Sequence, residues 1–172
     1  MSNPYNATLR PFNASDSKSI AYHANNRLVW QNLKDRFPFP YNEADAIQFI
    51  QMVSNSQPVT DFAIDVNGEA IGAAGIIIKD DIFRGNGEIG YWIGHEYWGK
   101  GIGTTVVSEL LRMALNEHKL YRVYAQVFEK NIASSRVLEK NGFIKEAILA
   151  NAIVKDGSRM NLYVYSLLNP NR

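Results

Sequence analysis

The sequence predicts a mixed α/β domain, because the spacing of its apolar residues changes several times along the chain. Short runs with strand character alternate with stretches whose apolar residues recur every three or four positions, as on one face of a helix. Glycine, proline and asparagine punctuate the boundaries between them. The resulting order is β-α-α-β-β-β-α-β-α-β-β, with no internal repeat, low-complexity segment or linker.

Each element has its own signal. Thr8 to Phe12 opens as a short strand, and Ser15 or Asp16 can cap a helix running to about Asn25. From Trp30 to Tyr41 the chain is aromatic and broken by Pro38 and Pro40, which reads as an ordered loop. Asn42 then stands as an N-cap with Asp45 at the third helical position, and Ala46, Ile47, Ile50 and Val53 form the apolar face. Asp61–Val66 and Ala70–Lys79 read as strands joined at Asn67-Gly68, the dipeptide best suited to a tight hairpin. A third strand follows Gly85 and runs to about Gly94. After the glycine-rich stretch Gly99–Gly103, a helix is expected from Thr104 to His118, with Val106, Val107, Leu110, Leu111 and Ala114 on one side. Val123–Phe128 reads as a strand and Asn131–Lys140 as a short helix, closed by Gly142 at its C-cap. Two strands end the chain, Phe143–Ala150 and Leu162–Leu168.

Composition excludes several functions. With 172 residues, 46% of them hydrophobic, the chain is long enough for one domain with a real core. Eighteen basic and seventeen acidic residues give a net charge of +1, without the basic excess or stripe of a nucleic-acid binder. The longest apolar run, Ala70 to Ile78, falls far short of the roughly 20 residues that span a bilayer. Met1-Ser2-Asn3-Pro4-Tyr5 has no basic, then apolar, leader pattern. Zero cysteines exclude a disulfide framework, a thiolate metal site and a cysteine nucleophile. His23, His95 and His118 are too scattered for a metal site. A cytoplasmic protein without membrane or nucleic-acid partners is expected. Strands at a sheet edge leave pairing between chains open.

Trp98-Gly99-Lys100-Gly101-Ile102-Gly103-Thr104 is the most informative stretch. A helix start leaves N–H groups unpaired and carries partial positive charge. Glycines just before it let an anion reach the backbone, so this stretch reads as a phosphate site. A tight turn needing positive φ is the plainer alternative. A Walker loop nearly fits from Gly94 to Lys100, but Gly101 stands where the magnesium-binding hydroxyl belongs. The dinucleotide pattern fails too, because Thr104 or Val106 replaces its third glycine.

What does fit is the pyrophosphate loop of the GNAT superfamily of N-acetyltransferases. That loop reads Gln or Arg, two residues, Gly, one residue, then Gly or Ala. Gly101 and Gly103 are in place, and Trp98 takes the Gln/Arg position. Tyr97-Trp98-Gly99-Lys100-Gly101 resembles the branch containing the ribosomal-protein N-terminal (alanine/serine) acetyltransferases. Asn131-Ile132-Ala133-Ser134-Ser135-Arg136-Val137-Leu138-Glu139-Lys140-Asn141-Gly142-Phe143 is similar to a second signature of that branch. Glu88-Ile89-Gly90-Tyr91-Trp92-Ile93-Gly94 resembles its Glu-Ile-Gly-Tyr strand. The resemblance covers residues 7–168, expected as a single N-acetyltransferase domain with a mostly antiparallel central sheet flanked by helices.

The resemblance implies acetyl-CoA as cosubstrate, no metal, and direct transfer to a primary amine within a ternary complex. The favoured acceptor is a protein or peptide N-terminal α-amine. A small amine (amino acid, polyamine, aminoglycoside) and a non-catalytic acyl-CoA-binding module are the alternatives. The pantetheine arm is expected along Trp92, Ile93 and Gly94, and the pyrophosphate on Trp98, Gly99, Lys100, Gly101, Ile102, Gly103 and Thr104. Glu88 is the candidate base, since a carboxylate inside an apolar strand needs a partner or a task; a structural salt bridge or the capping of backbone N–H groups is the alternative. Ser134 is implied as a hydrogen-bond donor to the leaving thiolate, with Asn131 as a companion contact or a plain N-cap. Arg136 and Lys140 read as a solvated face before a phosphate contact. Tyr163 and Tyr165 read as packing or acceptor lining, and Trp30, Phe37, Phe39 and Tyr41 as an acceptor wall or loop packing.

Overall fold

The computed structural model describes residues 5–169, so the Met1–Pro4 part of the leader reading lies outside the described residues. In chain order the elements are β1 (Thr8–Arg10), α1 (Ser17–Ala24), α2 (Arg27–Trp30), α3 (Glu43–Ser54), β2 (Asp61–Val66), β3 (Glu69–Ile78), β4 (Asn86–Ile93), α4 (Ile102–Arg112), β5 (Arg122–Phe128), α5 (Ile132–Lys140), β6 (Ile144–Lys155) and β7 (Ser158–Leu168). The strands form one seven-stranded sheet in the order β1-β2-β3-β4-β5-β7-β6. β4 and β5 run parallel, whereas β1–β2, β2–β3, β5–β7 and β6–β7 are antiparallel. The mixed, mostly antiparallel class expected from the sequence is the class observed. Among the described residues no helix is long and apolar enough to cross a membrane.

Two compact units divide the chain: Met1–Gly75 with Tyr91–Val106, and Ile76–Gly90 with Val107–Arg172. In the first, α1 and α3 pack through Ile20, Ala21, Ala24, Ala46, Ile50 and Val53 over Ala63 and Ala73. Burying a side chain such as Ile50 contributes about 2–3 kcal/mol. Asn42 caps α3 by accepting from the Ala44 and Asp45 N–H groups, and Asp45 accepts from the Asn42 N–H at 2.9 Å. Ile47 departs from expectation and is 42% exposed, because the buried stripe runs through 46, 50 and 53, to one side of it.

The entry to α1 also differs. Ala14–Asp16 forms a 3-10 turn with Asn13 at its N-cap, so neither Ser15 nor Asp16 caps the helix through its side chain. Asp16 instead accepts from Arg10 at 2.7 and 2.9 Å and from the Asn13 N–H at 2.8 Å. Burial opposes its charge, but these bonds outweigh burial and hold the carboxyl below its ordinary range. The short α2 lies between the helix expected to end near Asn25 and the loop expected from Trp30, and Asn26 caps it by accepting from the Leu28 N–H at 2.8 Å.

In the second unit Val107, Leu110, Leu111 and Ala114 are all buried, as their spacing required. The helix does not continue regularly to His118. Met113–Glu117 widens into a π turn, closed by the His118 N–H on the Met113 carbonyl at 3.0 Å. β6 and β7 are longer than expected and meet at Asp156-Gly157, with φ of 50° and 73°. That is the chemistry of the Asn67-Gly68 turn, with φ of 54° and 89°. Asn151, at φ 51°, lies within the register shift between Leu149 and Ile153, and this break in the ladder hid the longer strands.

Candidate functional site

The first unit holds the end of β4 and the glycine loop. Gly99 and Gly101 have φ of 73° and 79°, and no atom lies within 4 Å of where a Cβ would stand on either. Both glycines are therefore required by conformation, not by crowding. The space in front of them is open. α4 starts at Ile102, two residues before the expected Thr104, and its first backbone donors are Thr104 and Thr105, both to the Gly101 carbonyl. The N–H groups of residues 101–103 thus precede the first helical bond, as at any helix start. Thr104, expected among the anion contacts, already donates its N–H to Gly101 at 3.1 Å.

Trp98 accounts for the departure from the Gln/Arg pattern. Its indole N–H donates to the Ile93 carbonyl at 2.7 Å, tying the loop to the end of β4. Gly94 donates its N–H to the Ile71 carbonyl at 2.8 Å. Two backbone groups of the expected pantetheine strand are therefore engaged within the unit, although the Ile93 carbonyl keeps a second lone pair. Trp92 packs edge-on to Phe37, with ring centroids 5.6 Å apart. Lys100 lies over the rings of Tyr97 and Tyr5, at 5.2 and 5.0 Å from their centroids. Its charge stands beside the loop in a cation–π setting.

The aromatic segment divides. Tyr41 is buried and stacks on Phe37 at 4.7 Å, and burial pushes its phenol up to about 12. Trp30 and Phe39 pair at 5.6 Å, with Phe39 39% exposed. Core packing thus accounts for Phe37 and Tyr41, and a surface pair remains.

Glu88 belongs to the second unit. The parallel β4–β5 ladder runs Asn86–Arg122, Gly87–Val123 and Glu88–Tyr124, so Glu88 stands on its last rung while β4 continues to Ile93. Its Oε2 accepts from Lys79 Nζ at 3.1 Å and from the Tyr124 hydroxyl at 3.2 Å. Burial works against the Lys79 charge, yet Glu88 and the Tyr124 hydroxyl outweigh it and hold the ammonium above its ordinary range. The half-buried carboxylate therefore has partners, Lys79 among them as in the structural salt bridge expected as the alternative. Sequence reasoning missed both, because Tyr124 faces Glu88 only through strand register and Lys79 only through the β3–β4 connection.

α5 carries the other expected residues. Asn131 is its N-cap and accepts from the Ser134 N–H at 3.1 Å, so the structure brings these two together. Ser134 is half-buried, while Arg136 and Lys140 are exposed on the opposite part of the helix surface. Tyr165 is fully buried on β7 and donates its hydroxyl to Glu139 at 3.1 Å, fastening α5 to the sheet. His95 packs on Trp98 at 4.9 Å. Among the described residues no group of three His, Asp or Glu side chains is placed to hold a metal ion.

Comparison with known proteins bears on the family and the fold. Residues 6–144 match the acetyltransferase (GNAT) domain. The uncharacterized N-acetyltransferase p20 of Bacillus licheniformis is 32% identical over 126 residues, covering 72% of this chain and 70% of p20. YdaF of Bacillus subtilis, assigned as a ribosomal N-acetyltransferase, is 34% identical over 59% of this chain and 55% of its own length. Mycobacterium smegmatis RimJ, in complex with a CoA disulfide, superposes with a TM-score of 0.85 at 20% identity, covering 96% of this chain and 83% of that one. RimL, the ribosomal L7/L12 α-N-protein acetyltransferase, superposes at 0.82 with 19% identity, covering 96% and 97%. The chain belongs to the GNAT acetyltransferase family and is an acetyl-CoA-dependent N-acetyltransferase.

Proposed function

We propose that this enzyme acetylates the N-terminal α-amine of a protein or peptide, by direct attack within a ternary complex, with residues 7–168 acting as one domain. The observation that carries the reading is the setting of Glu88. Its carboxylate, which accepts from Lys79 and Tyr124, is the base we assign to the acceptor. Deprotonation at pH 7 costs about 1–1.4 kcal/mol for an α-amine and about 4.6 kcal/mol for a lysine. A base so engaged meets the first demand far more readily than the second. RimL, whose fold the chain shares, is an α-N-protein acetyltransferase, and YdaF carries the name of a ribosomal N-acetyltransferase; both likenesses support a protein acceptor.

The loop fits acetyl-CoA. Its open glycines and the N–H groups of residues 101–103 suit a pyrophosphate, with Lys100 adding charge and Trp92 to Gly94 flanking the arm. Acetyl-CoA supplies an acetyl group activated as a thioester. In the transfer an N–C bond forms, the C–S bond breaks, and the acceptor's proton passes to Glu88 directly or through water. The Ser134 hydroxyl donates a hydrogen bond toward the departing thiolate, which needs no full proton transfer. Asn131 holds the first turn of α5 in register for that donation. A cytoplasmic setting accompanies this reading, and the cysteine-free sequence is compatible with it.

The test is release of free CoA thiol from acetyl-CoA against a panel of peptides and small amines. The protein contributes no thiol background. Turnover on peptides with free N-termini, abolished by N-terminal blocking, is the expected result. Turnover confined to small amines overturns the proposal.

A further inference from the structure

His23 is the one histidine buried in the first unit, its side chain 3% exposed, and the chemistry above makes no use of it. It sits on α1 beside Ile20, Ala21 and Ala24, where an apolar residue would fill the space without loss of hydration. What the imidazole adds is a directional bond. Its Nε2 lies 2.9 Å from Glu69 Oε1, at the start of β3. Ser19 Oγ lies 3.2 Å from the same oxygen and 2.8 Å from the Ala70 carbonyl. The other carboxylate oxygen, Oε2, accepts from the Tyr97 hydroxyl at 3.3 Å. The hydrogen bond from His23 holds Glu69 below the ordinary carboxylate range against the opposing effect of burial.

The same imidazole supports the backbone at Gly94. A Cβ there would stand 2.5 Å from His23 Nδ1, so the chain crosses directly over the ring. Tyr97 packs edge-on to His23 at 5.6 Å, and Lys100 rests over Tyr97 at 5.2 Å. Gly94 and Tyr97 bracket the short 3-10 turn His95–Tyr97 that delivers the chain to Trp98 and the glycine loop. The buried His23 and the exposed Glu69 together therefore reach both ends of the turn from which the loop departs.

We propose that His23 and Glu69 are positioning residues for the phosphate-binding loop, fixing the Gly94–Tyr97 turn and thereby setting affinity for acetyl-CoA. The inference rests on the reading of residues 99–104 as the pyrophosphate loop. Neither residue touches the reacting atoms. Their effect is confined to the placement of the N–H groups of residues 101–103 and, through Tyr97, of the Lys100 charge.

Calorimetric titration of acetyl-CoA into Glu69→Ala, Tyr97→Phe and the double variant tests it, with kcat measured beside each. Glu69→Ala is expected to weaken binding about tenfold and Tyr97→Phe about threefold, with kcat at saturating acetyl-CoA unchanged. The double variant is expected to match Glu69→Ala, since the Tyr97 hydroxyl acts through Glu69. Tyr97→Phe keeps the ring and the fold, so it is informative even where Glu69→Ala lowers the melting temperature. Wild-type affinity in folded Tyr97→Phe and Glu69→Ala, or additive losses in the double variant, overturns the proposal. Gly101→Val separates the two levels. If it loses binding while Glu69→Ala keeps it, the positioning pair alone fails; if it binds as wild type, the loop reading fails and the pair with it.

Discussion

The two units offer different parts of the polypeptide to the proposed chemistry. In the first, the candidate function lies in the backbone: Gly99 and Gly101 in left-handed conformations, and N–H groups at the start of α4. The side chains there secure that backbone, as Trp98 does by donating to Ile93. In the second unit the proposed chemistry lies in side chains, Glu88 and Ser134, held by Lys79, Tyr124 and Asn131. Backbone recognition tolerates side-chain change everywhere except where a glycine's conformation is needed. Side-chain chemistry has the opposite sensitivity.

Several substitutions sharpen or break this contrast, and the largest effect belongs to Glu88. Glu88→Gln is expected to lower kcat/KM for the acceptor about a hundredfold, with acetyl-CoA affinity unchanged. The deficit should shrink as pH rises toward the acceptor's own pKa, near 8 for an α-amine, because neutral amine then arrives without help. A deficit constant with pH would assign Glu88 a structural role with Lys79. Ser134→Ala is expected to lower kcat about tenfold, read from thiol release at saturating substrates.

Lys100→Ala bears on the first unit. Because its ammonium stands over two tyrosine rings, the substitution is expected to weaken acetyl-CoA binding only about threefold, and less at high salt. A loss as large as that from a glycine substitution would shift the site's weight from backbone to side chain. The smallest effect is on stability. Tyr165→Phe removes the bond to Glu139 and should cost about 1 kcal/mol, seen as a fall of a few degrees in melting temperature.

Legibility in the sequence followed the same division. Local backbone signals translated directly: the Asn42–Asp45 capping box, the Asn67-Gly68 turn and the α4 stripe all appear as their spacing required. Asp156-Gly157 carries the same turn chemistry, but the register shift around Asn151 broke the alternation that would have extended β6 and β7 to it. The π turn at Met113–Glu117 leaves the apolar stripe intact, so periodicity could not disclose it. Residue types at the candidate site were readable as motifs. Their partners were not, because Glu88–Tyr124, Glu139–Tyr165 and His23–Glu69 are joined only by tertiary structure.

The most direct test of this division of labour is calorimetric titration of acetyl-CoA into Gly101→Val and Ser134→Ala, side by side. A branched side chain at φ 79° strains the loop and fills the space where the anion is expected. Gly101→Val is predicted to lose about a hundredfold in affinity, while Ser134→Ala stays within about threefold of wild type. Wild-type binding by Gly101→Val, or a loss in Ser134→Ala as large as that predicted for the glycine variant, would contradict the account.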